Sequence, residues 1–468
     1  MSEPVSTPAP RRRSLFFMTA LLIFALLFGA ACNLTNALKA VPTEIPEAVQ
    51  VEPAEEEVEP TAEEAVEPTA QVQTVSGGDS LFLTGEQAVF SDDYYTYGMF
   101  VVQNGSTTCT YPYAEYQVTA YDSSQQVVDS QEGFLESVLP GGAFAEQVYF
   151  VEEAFNLVDR FEVTLDASDC SPALATSADI TLEAVMLFPG EYSTAASARV
   201  VNHKDNFFTD VAVSAVGYNA ANEVVAVGYS YVNVLYPGDF SGALVGFSQA
   251  ADQVVDHVVM YPALTSYSTT ELDTAFFDTV YLDEYMPAIQ IDSAVEMVFF
   301  LHNDNTTQAA SNVRYQVTFF DASDNVVSVA TGYIDDLLPG DVSPHYITVY
   351  LPEGVTGDHH FVELMPGEFV EAKFPSNPFT ADNYSLSDDE WYPTLSLDLT
   401  NTSDKAMSDV WLVAVVYDKD GNFIGGGTAY TEEIAANSVT AQEITVNISG
   451  EADTVDVYGV IDFWTEIK

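Results

Sequence analysis

Basic side chains are nearly missing from this sequence. Lysine and arginine together number 12 against 71 aspartates and glutamates in 468 residues, a formal net charge of −59. Such a polyanion repels phosphate backbones and anionic headgroups, which argues against nucleic acid as a partner and against membrane binding through surface charge. Cysteine is scarce too. The three present, Cys32, Cys109 and Cys170, are too few for a disulfide-dense scaffold or a four-thiolate zinc site. The six histidines are dispersed, with His203 and His302 each beside an Asn and expected in loops, and His359-His360 expected to open a strand beside Asp358. No Gly-x-Ser-x-Gly elbow, His-Glu-x-x-His pair, Walker loop or dinucleotide fingerprint occurs. From these gaps we expect no cofactor, no bound metal and no catalytic residues.

What the chain does have is material for packed cores, 47% hydrophobic and 12% aromatic residues, so its acidity is no mark of disorder. One phrase is also written four times, about a hundred residues apart. An apolar run ends in Asn at Asn104, Asn202, Asn303 and Asn401. Sixteen or seventeen residues later comes an aromatic and an acid or amide: Tyr121-Asp122, Tyr218-Asn219, Phe320-Asp321 and Tyr417-Asp418. Three copies then carry Pro-Gly, at Pro140-Gly141, Pro237-Gly238 and Pro339-Gly340, while the fourth has Ala436-Asn437. Asn tolerates a positive φ, so that slot can still turn. A hundred residues can enclose a core, so each copy reads as a domain rather than a solenoid unit.

The N-terminus reads as an address. Arg11, Arg12 and Arg13 precede an apolar run that ends in Gly29-Ala30-Ala31-Cys32, the order of a basic region, a hydrophobic region and a small-residue processing site. Cys32 after two alanines resembles the lipobox of bacterial lipoproteins, which implies an acylated Cys32, cleavage just before it, and anchorage on the extracytoplasmic face of the cell membrane. A plain signal peptide and an uncleaved N-terminal helix stay open, since Gly29 stands where lipoboxes carry Leu. Residues 33–77 repeat Glu-Pro-Thr-Ala and Glu-Glu phrases, a composition that predicts a disordered, self-repelling tether.

Within the copies the period is two. Val313, Tyr315, Val317 and Phe319 alternate with Arg314, Gln316 and Thr318, as in a half-buried strand. The same parity gives inward sets Tyr116, Val118, Ala120; Val211, Val213, Ala215; and Val410, Leu412, Ala414. Polar turns such as Asp321-Ala322-Ser323-Asp324 separate apolar runs as hairpin turns do. Regular turns and little helical periodicity predict an all-β chain: four antiparallel β-sandwich repeats at 78–175, 176–270, 271–372 and 373–468, with one small barrel per repeat as the alternative. Joined by short connections, these would form a rod or bent chain.

The phrase Val415-Val416-Tyr417-Asp418-Lys419-Asp420-Gly421, after Thr400-Asn401-Thr402-Ser403-Asp404, resembles the FxLYD-type domains of exported prokaryotic lipoproteins. The family's leading Phe corresponds to Val118, Ala215, Val317 and Ala414. The resemblance implies immunoglobulin-like sandwiches acting as extracytoplasmic binding or structural modules.

With Cys32 acylated, Cys109 and Cys170 remain, both in the first repeat, and a disulfide between them leaves no thiol unpaired; two buried free thiols are the alternative. Asp418-Lys419-Asp420-Gly421-Asn422 looks superficially like a calcium loop, but its Gly stands fourth rather than sixth and no Glu stands twelfth, so a hairpin turn is expected. Acidic pairs such as Asp92-Asp93, Asp335-Asp336 and Asp388-Asp389-Glu390 follow from composition. Tyrosines cluster at Tyr94-Tyr95-Thr96-Tyr97, Tyr111-Pro112-Tyr113 and Tyr229-Ser230-Tyr231. Cores and strand faces are their expected place, and stacking on sugar rings or a protein patch is the functional alternative. The function expected is a non-enzymatic cell-surface lipoprotein that binds an unknown protein or glycan, or serves adhesion or structure. A carbohydrate-binding accessory protein is the second reading and an exported enzyme of unfamiliar type the third.

Overall fold

A computed structural model describes residues 81–468, apart from 152–153, 168–169, 191–193, 284–285, 353, 388, 390–392 and 463. The signal segment with Cys32, the 33–77 tether and the acids at 388 and 390 lie outside the described residues. Strands dominate, with a 3-10 turn at Thr274–Asp278, and every strand pairing is antiparallel among the described residues. No described sheet closes on itself, so the copies are immunoglobulin-like sandwiches and not barrels.

Each copy builds two sheets. One contains the strand that ends in the repeated Asn and is called here the Asn sheet; the other contains the strand that ends in the repeated aromatic and is called the aromatic sheet. In the first copy the Asn sheet joins Leu81–Ser91, Thr96–Asn104 and Ala143–Tyr149, and the aromatic sheet joins Val127–Phe134, Glu115–Tyr121 and Arg160–Asp166. The second copy repeats this with Ile180–Phe188, Ala195–Asn202 and Phe240–Gly246 facing Val224–Leu235, Phe208–Tyr218 and His257–Leu264. In the third, Ala294–Asn303 and Val342–Tyr350 face Val326–Ile334, Val313–Phe320 and His359–Met365. In the fourth, Phe379–Leu386, Thr394–Asn401 and Ser438–Thr445 face Phe423–Tyr430, Trp411–Tyr417 and Thr454–Val460.

The inward sets do pack between the two sheets of their own copy. Val118 and Ala120 meet Phe100 and Phe144; Val213 and Ala215 meet Ala198 and Val245; Val317 and Phe319 share a core with Phe299; Leu412 and Ala414 share one with Leu397. The turn after the repeated aromatic is an Asx turn in every copy. The Asp122, Asn219, Asp321 or Asp418 side chain accepts from the amides two and four residues on. The left-handed position falls at Gln125, Asn222, Asp324 and Gly421, with φ of 65°, 61°, 61° and 79°. The Pro-Gly slot is left-handed at Gly141, Gly238 and Gly340, and Asn437 fills the same role at φ 50°.

One expectation fails on the outward faces. The alternation in Val313–Phe320 predicts a half-buried strand, yet Gln316 and Thr318 on its outer side are fully buried. The cause is a neighbouring copy, because the outer face of each Asn sheet packs on the outer face of the next copy's aromatic sheet. Tyr97, Met99, Val101 and Ala145 of the first copy cover Val216, Tyr218 and Val227 of the second. Phe240 of the second places its ring 5.9 Å from Phe320 and 5.5 Å from Phe361 of the third. Val298 and Tyr346 of the third cover Val413, Val415, Phe423 and Val460 of the fourth. The copies therefore stack face on face rather than meeting only through short connections.

Polar groups set the register of these stacks. Gln316 donates to Ser241 Oγ and the Gly242 carbonyl and accepts from the Asn233 amide at 2.7 Å. Ser241 donates to the buried Glu363 carboxyl. A Cβ at Gly242 would stand 2.5 Å from Thr318 Cγ2, so only glycine lets the second and third copies approach this closely. Ser214 Oγ accepts the Ala145 amide between the first and second copies, and Asn447 donates to Glu296 between the third and fourth.

Candidate functional site

The landmarks that define the repeat turn out to be structural. Asn104, Asn202, Asn303 and Asn401 are all fully buried. Each amide nitrogen donates to a carbonyl four or five residues on and to another about 34 residues on. For Asn303 these are Gln308 O at 3.0 Å and Leu337 O at 2.9 Å, and for Asn401 they are Lys405 O at 2.8 Å and Ala435 O at 3.2 Å. Each side-chain oxygen accepts the amide two residues on. The Asn thus ties the strand end to the chain crossing beneath it and is saturated by backbone, with nothing left for a ligand.

The remaining singled-out residues divide similarly. Cys109 and Cys170 are bridged, with Cα atoms 5.7 Å apart, across the two-residue ladder of Cys109–Thr110 with Ser171–Pro172. The third and fourth copies hold the equivalent place with backbone ladders alone, Gln308–Ser311 with Glu368–Glu371 and Met407–Ser408 with Glu466–Ile467. Asp418 is consumed by its turn, accepting from the Asp420 and Asn422 amides and the Asn422 side chain. Asp92 likewise accepts from the Tyr94 and Tyr95 amides and from the Tyr97 hydroxyl. His257 stacks on Tyr218, His302 on Tyr281 and His359 on Phe320; His302 lies within the strand Ala294–Asn303, paired with Tyr281 and Val342, and not in the expected loop. Among the described residues no three His, Cys, Asp or Glu side chains come together as a metal cluster.

Of the tyrosine clusters, Tyr111 is buried in the first core while Tyr94, Tyr95, Tyr229 and Tyr231 remain exposed. Two of these clusters lead to an open cleft of about 450 Å³ where three copies meet, lined by Glu136, Asp210, Tyr231, Thr265, Ser266, Tyr267 and Arg314. Glu136 comes from the first copy, Arg314 from the third, and the rest from the second. Asp210 sits at a left-handed kink, φ 52°, in the strand Phe208–Tyr218. The kink turns its carboxylate toward Arg314, which it meets at 2.6 Å. Its carbonyl accepts Ser268 Oγ at 2.9 Å, and Ser268 in turn accepts the Thr265 amide at 2.9 Å. That knot presents Tyr267 to solvent, at 83% the most exposed tyrosine among the described residues.

The floor of the cleft is polarised. The Tyr231 hydroxyl donates to Glu136 at 3.1 Å. Burial holds the Glu136 carboxyl above the usual carboxylate range, against the opposing hydrogen bond from Tyr231. Burial, and then the Glu136 charge, push the Tyr231 phenol up as well. From the cleft a tyrosine strip continues into the first copy. Tyr231 meets Tyr229 edge-on at 5.8 Å, the Tyr149 phenol is pushed up by burial and further by the Tyr229 charge, Tyr149 meets Tyr97 at 5.1 Å, and the buried Tyr97 meets Tyr95 at 6.3 Å. In the other direction Tyr333 of the third copy lies beside Arg314.

Sequence reasoning singled out Tyr95, Tyr229 and Tyr231 but missed Tyr149, Tyr267, Glu136, Asp210 and Arg314. For Tyr267 a signal was present, an aromatic inside the polar connection Thr265-Ser266-Tyr267-Ser268, where no core position exists to absorb it. For the others nothing local distinguishes them.

No protein-family model matches the chain, and no curated protein matches it. Among solved structures, the native conformation of E. coli alpha-2-macroglobulin, seen by cryo-EM, is similar over 80% of this chain and 28% of that one, at 9% identity and a TM-score of 0.14. The chain spans less than a third of that protein's length.

Proposed function

We propose that this chain is an exported lipoprotein, anchored through Cys32 on the extracytoplasmic face of the cell membrane, that works as a non-enzymatic binding module of the FxLYD type. The observation that carries the reading is the tyrosine-lined cleft at the junction of three copies. Its aromatics are exposed at a place where the fold gains nothing by exposing them, and its carboxylates are engaged, Asp210 with Arg314 and Glu136 with Tyr231. A general acid and base pair has to be able to exchange protons with a substrate. A carboxylate locked to a guanidinium is suited instead to hold a wall in place. The basic, apolar and small-residue order before Cys32 supports the anchor, and the polyanionic body supports a surface held away from anionic lipid.

Two measurements test this. Cys32→Ala should move the chain from the membrane fraction to the soluble one, and unchanged membrane retention would replace the lipid by an uncleaved helix. The detergent-solubilised chain should be retained by intact cells or their envelopes, and Tyr267→Ala should weaken that retention. The hydrolase reading draws on Glu136 and Asp210 lining one cleft. Release of reducing ends from a polysaccharide, lost in Glu136→Gln, would establish it in place of the binding module.

A further inference from the structure

The strip that crosses the cleft has a chemistry of its own. Tyr149, Tyr229, Tyr231, Tyr267 and Tyr333 are each at least 43% exposed and spread over three copies of the fold, and Tyr95, also exposed, lies beyond the buried Tyr97. A phenol ring offers a flat apolar face with a polar edge, which suits a ligand with flat C–H surfaces and hydroxyls around its rim. Between the rings stand hydrogen-bonding groups of both kinds: the Glu136 and Asp210 carboxylates as acceptors, and the Arg314 guanidinium and Ser266 hydroxyl as donors. Building on the binding-module reading, we propose that the strip binds an extended, neutral, hydroxyl-rich glycan, its sugar rings stacked on successive tyrosines and its hydroxyls bridged to Glu136 and Arg314.

Three features select this ligand over others. Anionic polymers face a chain of net charge −59, and the guanidinium in the cleft is already neutralised by Asp210 at 2.6 Å. A protein partner is favoured by aromatic anchors in a centre depleted of acidic side chains, whereas here the Glu136 and Asp210 carboxylates stand in the middle of the strip. A small compact ligand is favoured by an enclosed pocket that covers most of its surface. This cleft is open, and its aromatics run on beyond it in both directions.

The test is native affinity electrophoresis of the full chain in detergent, through gels cast with neutral soluble polysaccharides: a mixed-linkage β-glucan, a xyloglucan, a galactomannan and a dextran. At least one should retard the wild type. Tyr267→Ala and Tyr229→Ala should each raise its dissociation constant at least tenfold, while Tyr430→Ala, a 53% exposed tyrosine of the fourth copy, leaves it unchanged. Circular dichroism confirms that the variants fold. Absence of retardation in every gel, or equal weakening by Tyr430→Ala, overturns the proposal, and so does stronger retardation by polygalacturonate than by any neutral polymer. Retention by cells that depends on Tyr267 without any glycan binding overturns the glycan and leaves the binding module standing. Loss of both defeats the two together.

Discussion

Buried carboxyls give the molecule its pH response at the scale of single residues. Burial pushes Glu146 up to about 8, with the Tyr116 hydrogen bond opposing and the Glu136 charge adding. Glu363, enclosed between the second and third copies against Ser241 and near Asp239, is raised well above its ordinary value by burial. Both side chains therefore keep their protons in the folded state after the unfolded chain has lost its own. Each lowers stability as pH rises from the unfolded value near 4.5 toward the folded one, at up to about 1.4 kcal/mol per pH unit. In the opposite sense, the Gln126 amide and Ser124 hydroxyl hold Asp122 low, as the Asn422 side chain and amide hold Asp418. Their contribution is present above the ordinary carboxylate range and is lost as pH falls through it. The melting temperature should peak near pH 5 and decline toward pH 8. Glu146→Gln with Glu363→Gln should flatten that decline, because a neutral isostere keeps the hydrogen bonding and removes the proton linkage. An unchanged slope in the double variant would locate the pH dependence in the general surface repulsion instead.

Strand pairing and cross-links act at the scale of elements. The ladder from Cys109–Thr110 to Ser171–Pro172 is the first copy's version of a small closing ladder that two other copies make without a bond. Its bridge spans 61 residues, and closing a loop of that length constrains the unfolded chain by roughly 4 kcal/mol in the entropy model. Reduction, or Cys109→Ser with Cys170→Ser, should lower the first copy's unfolding temperature while the fourth copy's transition stays in place. Hydrogen exchange resolved by peptide distinguishes the two. Uniform loss of protection across all four copies would mean that the stacked faces transmit the change, and that the stack unfolds as one unit.

Stacking dictates what happens at the two ends of the whole molecule. Each internal contact joins an Asn sheet to the following aromatic sheet, so one aromatic sheet and one Asn sheet are left over. The first copy's outer aromatic sheet carries Glu115, Gln117, Glu132, Thr164 and Asp166, all exposed. The fourth copy's outer Asn sheet carries Thr380, Asp382, Asp398 and Glu443. Apart from the exposed Phe134 opposite Glu115 and Val439 opposite Thr400, these two faces of the described residues are polar, as the outer faces of terminal units are in repeat proteins, which disfavours further stacking on them. Cutting the chain after residue 372 should uncover Val298, Phe300 and Tyr346 on one piece and Val413, Val415 and Phe423 on the other. With residues 1–77 removed from every species, sedimentation velocity should show a monomeric parent, and each fragment should self-associate when alone. Mixed, the two should re-form a one-to-one complex. Two inert monomeric fragments would show that the stacked faces contribute little.

The four-copy plan, the sandwich, the inward parity, the hairpin turns and the pairing of Cys109 with Cys170 were legible in the linear sequence. All but the cysteine pair, whose members stand 61 residues apart and were matched by elimination, depend on residues close together in the chain or on a period of two, and local backbone sterics read those directly. Part of the stacking was legible as well: Val413 and Val415 are apolar at the outward parity, as strands buried on both faces are. Only the tertiary structure decided which outward face meets which, and that the fully buried Gln316 and Glu363 belong to an interface. The same holds for the cleft, whose Glu136, Tyr231 and Arg314 come from three copies as much as 178 positions apart. No local pattern encodes a contact of that range, because it exists only once the sheets have formed and their faces have found each other.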